Sequence, residues 1–127
     1  MAATRVSGLF DKHTATIANG AAVSTIVRSS GATLVAIKMP AAWTAAAIAF
    51  EGTFDDGATY QPVFDDANAE VTIAAATTAA RIGQILVPTA GIMGKLAALP
   101  AFRIISGVAG LNVNQGAARD IIVITKA

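Results

Sequence analysis

Residues 34–65 read LVAIKMPAAWTAAAIAFEGTFDDGATYQPVFD, a run that holds the only Trp, the only Tyr and three of the five Phe of a 127-residue chain. Its punctuation is that of a β domain. Leu34–Met39 makes a strand, and Pro40, which has no N–H to give a sheet ladder, ends it. Asp55-Asp56-Gly57 is a hairpin turn, because Asp bonds local backbone and Gly57 takes positive φ without steric cost. Between these breaks, Ala45–Glu51 and Thr59–Phe64 are expected to be strands. The Ala-rich part from Trp43 to Phe50 also suits a helix by propensity, but it offers no good N-cap, and the strand signals on both sides decide for strand.

Outward from this stretch the same spacing continues. His13–Ala18 ends at Asn19-Gly20, the strongest short hairpin signal in the chain, and Ala21–Arg28 ends at Ser29-Ser30-Gly31. Further on, Glu70–Ala75, Arg81–Val87 before Pro88, Ala101–Ser106 before Gly107, and Asp120–Lys126 bring the number of such runs to nine. Short runs rich in Val, Ile and Thr at roughly ten-residue spacing predict an all-β antiparallel sandwich or barrel. Ile92, Leu96 and Leu99 stand at i, i+4 and i+7, so one short helix is expected over residues 92–99, across an end of the sandwich. Residues 1–12, polar and small apart from Leu9-Phe10, are expected to form an N-terminal arm, either frayed or laid on a neighbour. A single domain then spans residues 13–127.

Charge is the sharper compositional clue. Nine Lys and Arg against eight Asp and Glu give a net charge of +1, too little for a nucleic-acid footprint. Only 13% of residues are charged and 54% are hydrophobic, with a mean hydropathy of +0.61, where soluble domains carry about 25% charge. So thinly charged a surface is expected to be covered in part by a partner, copies of the chain itself first. There is no Cys, hence no disulfide framework and no thiolate metal site. The longest charge-free runs fall short of the ~20 apolar residues of a membrane-crossing helix, and MAATRVSGLFDKH has no continuous apolar segment of a secretory signal. Synthesis in the cytoplasm with no membrane partner is the simplest expectation.

No motif for catalysis or cofactor binding emerges. His13 is the only His, so a catalytic triad or imidazole metal site would have to use it, and no carboxylate pattern points to it. Gly91-Ile92-Met93-Gly94-Lys95 has two residues between its glycines and Leu96 after the Lys, where a phosphate loop needs four and a hydroxyl. Asp55-Asp56 and Asp65-Asp66 lack the alternating spacing of a calcium loop, and turn chemistry accounts for them. As a hydrolytic acid/base pair they would need a pocket that shifts their pKa, for which the sequence has no signal. The expectation is therefore a non-enzyme without cofactor or metal. Leu9, Phe10, Trp43, Phe54 and Tyr60 are the candidate partner-interface residues, since aromatic anchors dominate interface energetics.

Several pieces in order resemble a known group. They are Met39-Pro40-Ala41-Ala42-Trp43, Phe50 with Asp56-Gly57, Tyr60-Gln61-Pro62-Val63, Arg103-Ile104-Ile105-Ser106-Gly107, and the run from Asn114 through Gln115, Gly116 and Arg119 to Ile122. Together they resemble bacteriophage head-decoration (capsid cement) proteins. The resemblance implies a jelly-roll-like β-sandwich on the exterior of the virion, commonly a homotrimer, with the major capsid protein as partner. The alternative expectation is a phage tail or fibre module that binds a host-surface glycan, which needs Trp43 or Tyr60 on an exposed concave face.

Overall fold

The structure, a computed structural model, describes residues 10–73, 85–87, 96 and 99–126 in full and residues 4–7 as backbone. The strands among them are β1 (Thr4–Ser7), β2 (Phe10–Ile17), β3 (Val23–Val27), β4 (Thr33–Lys38), β5 (Ile48–Thr53), β6 (Gln61–Pro62), β7 (Thr72–Ile73), β8 (Ile85–Leu86), β9 (Ala101–Val108), β10 (Leu111–Asn112) and β11 (Arg119–Lys126). All pairings are antiparallel. One continuous sheet runs β6-β5-β9-β3-β2-β11-β4-β8, with β1 beside β2, β7 beside β5 and β10 beside β9. The expected all-β antiparallel class is the observed one.

The sheet curls so that its two halves share one core. In β2 and β11 every second residue points inward: His13, Ala15 and Ile17 on one strand, Ile121, Val123 and Thr125 on the other. In β4 the inward residues Leu34 and Ile37 are three apart, because Ile124 faces Ala36 while Thr125 faces Leu34, and Val35 is left over as a bulge. The other half contributes Ile48 and Phe50 from β5, Phe102 and Ile104 from β9, and Val27 from β3 to the same cluster. Phe50 and Phe102 meet edge to face, centroids 5.7 Å apart and planes at 78°, worth about 0.5–1.5 kcal/mol beyond their buried area.

The corner strand β3 belongs to both halves. It touches β2 at Ile17–Ser24 and pairs with β9 at Val23, Ile26 and Val27, with a register break between. Side chains fill the gap that the break leaves in both ladders. Ile104 donates its N–H to Ser24 Oγ at 2.8 Å, and Thr16 donates its N–H to Thr25 Oγ1 at 3.0 Å. Two adjacent hydroxyls thus satisfy one backbone donor on each side, and the Ile104 amide would otherwise be buried unpaired where the sheet turns.

Three connections that cross between the halves lie wholly among the described residues. The first is the tight turn Ser29–Ala32, with Ser30 and Gly31 both at positive φ (52° and 80°) and Ala32 N–H bonded to Ser29 O. The second, from Met39 to Ala47, carries Met39, Trp43 and Ala46 through the core. The third brings the chain from β10 to β11, and Gln115 in it is the most connected side chain of the described structure. Gln115, 1% exposed, accepts from Thr44 N–H (2.8 Å) and Arg119 Nε–H (3.1 Å), and donates to Thr44 O (3.0 Å) and Ser106 Oγ (2.8 Å). That is every hydrogen bond a primary amide can make. Its backbone is tied to the β2–β3 hairpin as well, donating to Ala21 O and accepting from Gly20 N–H, both at 2.9 Å. The β9–β10 hairpin below it needs Gly107, whose φ is +115° and where any Cβ would strike the carbonyl oxygen of Leu111.

Several expected boundaries move. Ala45–Glu51 is a strand only from Ile48, because residues 45–47 belong to the crossing held by Trp43 Nε1–H to Ala46 O (3.2 Å) and by Gln115. Thr59–Phe64 shrinks to Gln61–Pro62, since Thr59 is used in the preceding turn and Phe64 pairs singly with Glu70. β2 starts at Phe10, three residues before the expected domain boundary, and β1 pairs back on it within the segment read as an arm. Most of the helix expected over 92–99 lies outside the described residues. Of it, Leu96 and Leu99 are core residues joined by Leu99 N–H to Leu96 O at 3.1 Å.

Replacing Gln115 with Leu keeps the volume and strands four partners, of which the Ser106 hydroxyl is fully buried; a polar group left buried and unpaired costs on the order of 1–3 kcal/mol. We expect the Tm to fall by roughly 10 °C or more, against a change within error for an exposed control such as Asp66→Ser; a calorimetric scan of both variants checks this. His13 shares a 3.0 Å hydrogen bond with Thr125 Oγ1 inside the sheet, and burial pushes its pKa below 6.5 against the pull of Asp11. The unfolded chain therefore takes the proton first as pH falls. The stability His13 lends is complete above about pH 6.5 and declines below it. Urea midpoints should drop between pH 7.5 and pH 5 in the wild type and stay flatter in His13→Leu.

Candidate docking surface

Alternation dictates what the outer face of β2, β11, β4 and β8 carries. If Ile121, Val123 and Thr125 point inward, then Asp120, Ile122, Ile124 and Lys126 point outward. Register lines up Lys12, Ile124 and Ala36 in one row, and Thr14, Ile122, Lys38 and Ile85 in the next. Their side chains wall a groove of about 290 Å³ lined by Lys12, Ala36, Lys38, Ile85, Ile122 and Ile124. At Lys38 and Ile122 it meets a second depression, which continues along Met39, Pro40 and Ala41 to Asp120. Ile85 is 66% exposed and Val87 beside it is also exposed. The lysine stems extend the apolar floor while the ammonium groups rim it. The ion pairs among the described residues are Arg28–Asp56 and Arg103–Glu51, so neither Lys12 nor Lys38 is neutralised there. Lys126 stands at the far end, 5.8 Å from the Phe10 ring.

A second exposed apolar region is acidic. Phe54, 75% exposed, sits at the head of a turn built from its neighbours' side chains. Thr53 Oγ1 donates to Asp55 Oδ1 (2.8 Å) and accepts from Gly57 N–H (2.9 Å). Thr59 donates its N–H to Asp55 Oδ1 (2.9 Å) and its hydroxyl to Oδ2 (2.6 Å). Asp56, in the left-handed region at φ 55°, pairs with Arg28 at 2.9 Å. Further on, Phe64 and Glu70 bridge a small hairpin in which Asp65 Oδ1 accepts from Ala67 and Ala69 N–H. Phe64 is exposed too, and Asp66 stands exposed beside it.

Of the five residues expected at an interface, the four that are described are not gathered on one face. Trp43 is corrected to a core residue: its ring is 6% exposed and its N–H is satisfied by Ala46 O. Tyr60 is half-buried, its ring face covered by the Arg103 guanidinium at 3.7 Å, and that Arg is held by Glu51 across the β5–β9 pair. Phe10 lies half-buried on β2, and Phe54 alone of the described four is exposed. Leu9 lies outside the described residues. Missed from the sequence were Lys12, Lys38, Ile85, Ile122 and Ile124. The signal for the last two was present in DIIVITK, where an unbroken apolar centre means that both faces of the strand carry apolar side chains.

Chemically, Asp55 and Asp65 are committed to their turns, Asp56 and Glu51 to ion pairs, and Asp120 accepts from the Thr16 hydroxyl. Hydrogen bonds from Thr59, side chain first, and from Thr53 hold the Asp55 carboxyl down to about 2, which makes it a stable anion and a poor base. His13 is enclosed in the sheet. Among the described residues no group of three or more His, Cys, Asp or Glu could hold a metal ion, and no helix is long and apolar enough to cross a membrane. The Asp55 anion contributes stability above about pH 3.8 that is lost as pH falls toward 2. Thr59→Ala should move the Asp55 carboxyl midpoint, followed by NMR, upward toward 3.8; an unmoved midpoint would show that the turn is held by other bonds. Comparison of the chain with known protein families, with curated proteins and with solved structures found no match.

Proposed function

We propose that this chain is a structural protein of a bacteriophage virion, which binds the exterior of an assembled capsid and stabilises contacts between neighbouring major capsid subunits. The observation that carries the reading is the outer sheet face, where exposed Ile85 and half-buried Ile122 and Ile124 floor an open groove bordered by Lys12 and Lys38. Contiguous exposed apolar surface with a polar rim marks a surface that another protein covers. The decoration-protein resemblance of the sequence supplies the kind of assembly, and the sparse charge of the chain agrees with a molecule that spends its working life packed against others.

The mechanism is linkage. A protein that binds the assembled, expanded shell and not its separate subunits stabilises the shell by the free energy of that binding. Symmetry repeats the contact over the shell, so each individual contact can be modest. The function is carried by shape and burial, and the reading assigns no catalytic residue and no cofactor. The host cytoplasm during assembly and the capsid surface afterwards are the places this role requires. A tail or fibre module that binds glycan draws less support, since Trp43 is enclosed and Arg103 covers the Tyr60 ring.

Added to purified capsids, the protein should co-sediment with expanded shells, ignore unexpanded ones and raise the temperature at which the expanded shells dissociate. Protein that stays in the supernatant at saturating concentration would overturn the capsid reading. A change in Tyr or Trp fluorescence on a particular glycan would favour the tail module.

A further inference from the structure

The asparagines of the chain are Asn19, Asn68, Asn112 and Asn114, and only Asn19 is followed by glycine. That neighbour matters chemically. The main-chain nitrogen after an asparagine can attack the side-chain carbonyl carbon and close a five-membered succinimide, fastest where the next residue has no Cβ to obstruct it. Asn19 and Gly20 are exposed at the tip of the β2–β3 hairpin, and Gly20, at φ +80°, has nothing within 4 Å of where a Cβ would stand. One thing opposes the reaction: the attacking nitrogen is already in use. Gly20 donates its N–H to the main-chain oxygen of Gln115 at 2.9 Å, Ala21 N–H closes the turn on Ala18 O at 3.0 Å, and Gln115 N–H returns to Ala21 O at 2.9 Å. An amide that gave up its proton in that position would lose the bond and point a bare lone pair at a carbonyl oxygen.

We propose that Asn19 is a site of spontaneous deamidation gated by the bond from Gly20 to Gln115, so that the modification is made only when the hairpin tip lifts off the β10–β11 connection. In the lifted state the Gly20 nitrogen passes its proton to water and bonds to Asn19 Cγ. The Cγ–Nδ2 bond then breaks, and the side-chain nitrogen takes a proton from water and leaves as ammonia. One water opens the succinimide. Attack at Cγ restores the ordinary main chain with Asp at position 19, and attack at the main-chain carbonyl routes the chain through Cγ as isoaspartate. The sum is one water in and one ammonia out, with no oxidant and no enzyme. Either product adds a negative charge, which cancels the net charge of +1. Isoaspartate also lengthens the main chain by one carbon inside a turn that is tied to Gln115 at both Gly20 and Ala21, so the hairpin cannot recover both bonds. Each opening that reacts is thus recorded irreversibly, at the place where the hairpin joins the hub of the fold. Asp56-Gly57 could close the same ring, but Thr53 Oγ1 holds Gly57 N–H at 2.9 Å, and a carboxylate paired with Arg28 is a poor electrophile. The inference does not rest on the capsid reading.

The test follows conversion of each asparagine by peptide mapping with mass spectrometry, on the full chain held at constant pH and temperature. A net hydrogen bond shifts a population by about tenfold, so the folded protein should deamidate at Asn19 about tenfold or more slowly than the same chain unfolded in urea. Asn68, Asn112 and Asn114 should lag behind Asn19 in both states. Gln115→Leu should speed the reaction. Ser106→Ala, which removes a single partner of the Gln115 amide, should speed it with the fold intact by circular dichroism, and in step with hydrogen exchange at the Gly20 amide. Ile37→Val weakens the core on β4, which pairs with neither β2 nor β3, and should leave the rate unchanged. A folded protein that reacts as fast as the unfolded chain would overturn the gate. So would an Ile37→Val variant accelerated as much as Ser106→Ala, since the reaction would then follow global unfolding. First product at any other asparagine would overturn the assignment of the site.

Discussion

The whole arrangement turns on one buried amide. Gln115 receives or gives all four of its side-chain hydrogen bonds inside the protein, and its main chain adds two more. Its partners come from the β2–β3 hairpin, the β4–β5 crossing, β9 and the first residue of β11. They are main-chain groups of Gly20, Ala21 and Thr44 and side chains of Ser106 and Arg119, drawn from segments far apart in sequence. An apolar residue could fill the same space, but it could not tell four segments where to sit. The network is worth having because it is complete; partly satisfied, it would cost more than a plain apolar core.

Completeness here has a consequence far from the amide. Arg119, which donates to Gln115 Oε1, is the first residue of β11. Fixing it fixes the phase of the strand that follows. Had β11 slipped by one residue, Ile122, Ile124 and Lys126 would face the core, and Ile121 and Val123 would face solvent. The pairing of eight consecutive residues with β2 reinforces the same phase, and the bulge at Val35 lets β4 keep Leu34 and Ile37 inward against it. The groove with its lysine rim is thus a by-product of core registration. The residues that present it need no positioning of their own, which is why the surface can be rigid while its side chains stay simple.

What was legible in the sequence follows the same logic. Turns were readable where one residue type has a local reason to be there: Asn19-Gly20, Ser30-Gly31 and Asp56-Gly57 each carry positive φ in the structure. The long strands β2, β4, β9 and β11 were readable from Val, Ile and Thr content. Illegible were the places where a distant partner overrides local preference. Residues 45–47 looked like strand, yet the crossing is held by Trp43, Thr44 and a Gln some seventy positions later. Thr59 looked like the start of a strand, but its hydroxyl and amide are taken by Asp55. Trp43 looked like an anchor for a partner because the sequence shows its size and not its depth. Lys12 and Lys38, twenty-six residues apart, are brought to one groove only because β11 lies between their strands.

The same separation explains why net charge is a poor guide to this molecule. A value of +1 says that nothing will steer it toward a polyanion, and that much is correct physics. It conceals an uneven distribution: five of the eight acids fall between positions 55 and 70, while Lys12, Lys38 and Lys126 share the outer face of β2, β4 and β11 with Asp120. At physiological ionic strength the field of either patch fades within about 8 Å, so neither reaches a partner from afar. Their effect is confined to contact, where a wrong alignment would bury a carboxylate or an ammonium without its counterpart, at a cost of several kcal/mol. With so few charges, each one excludes many alignments. A sparsely charged surface is therefore not an undiscriminating one, provided that its ions are placed at the borders of its apolar patches, as Lys12, Lys38 and Asp66 are here.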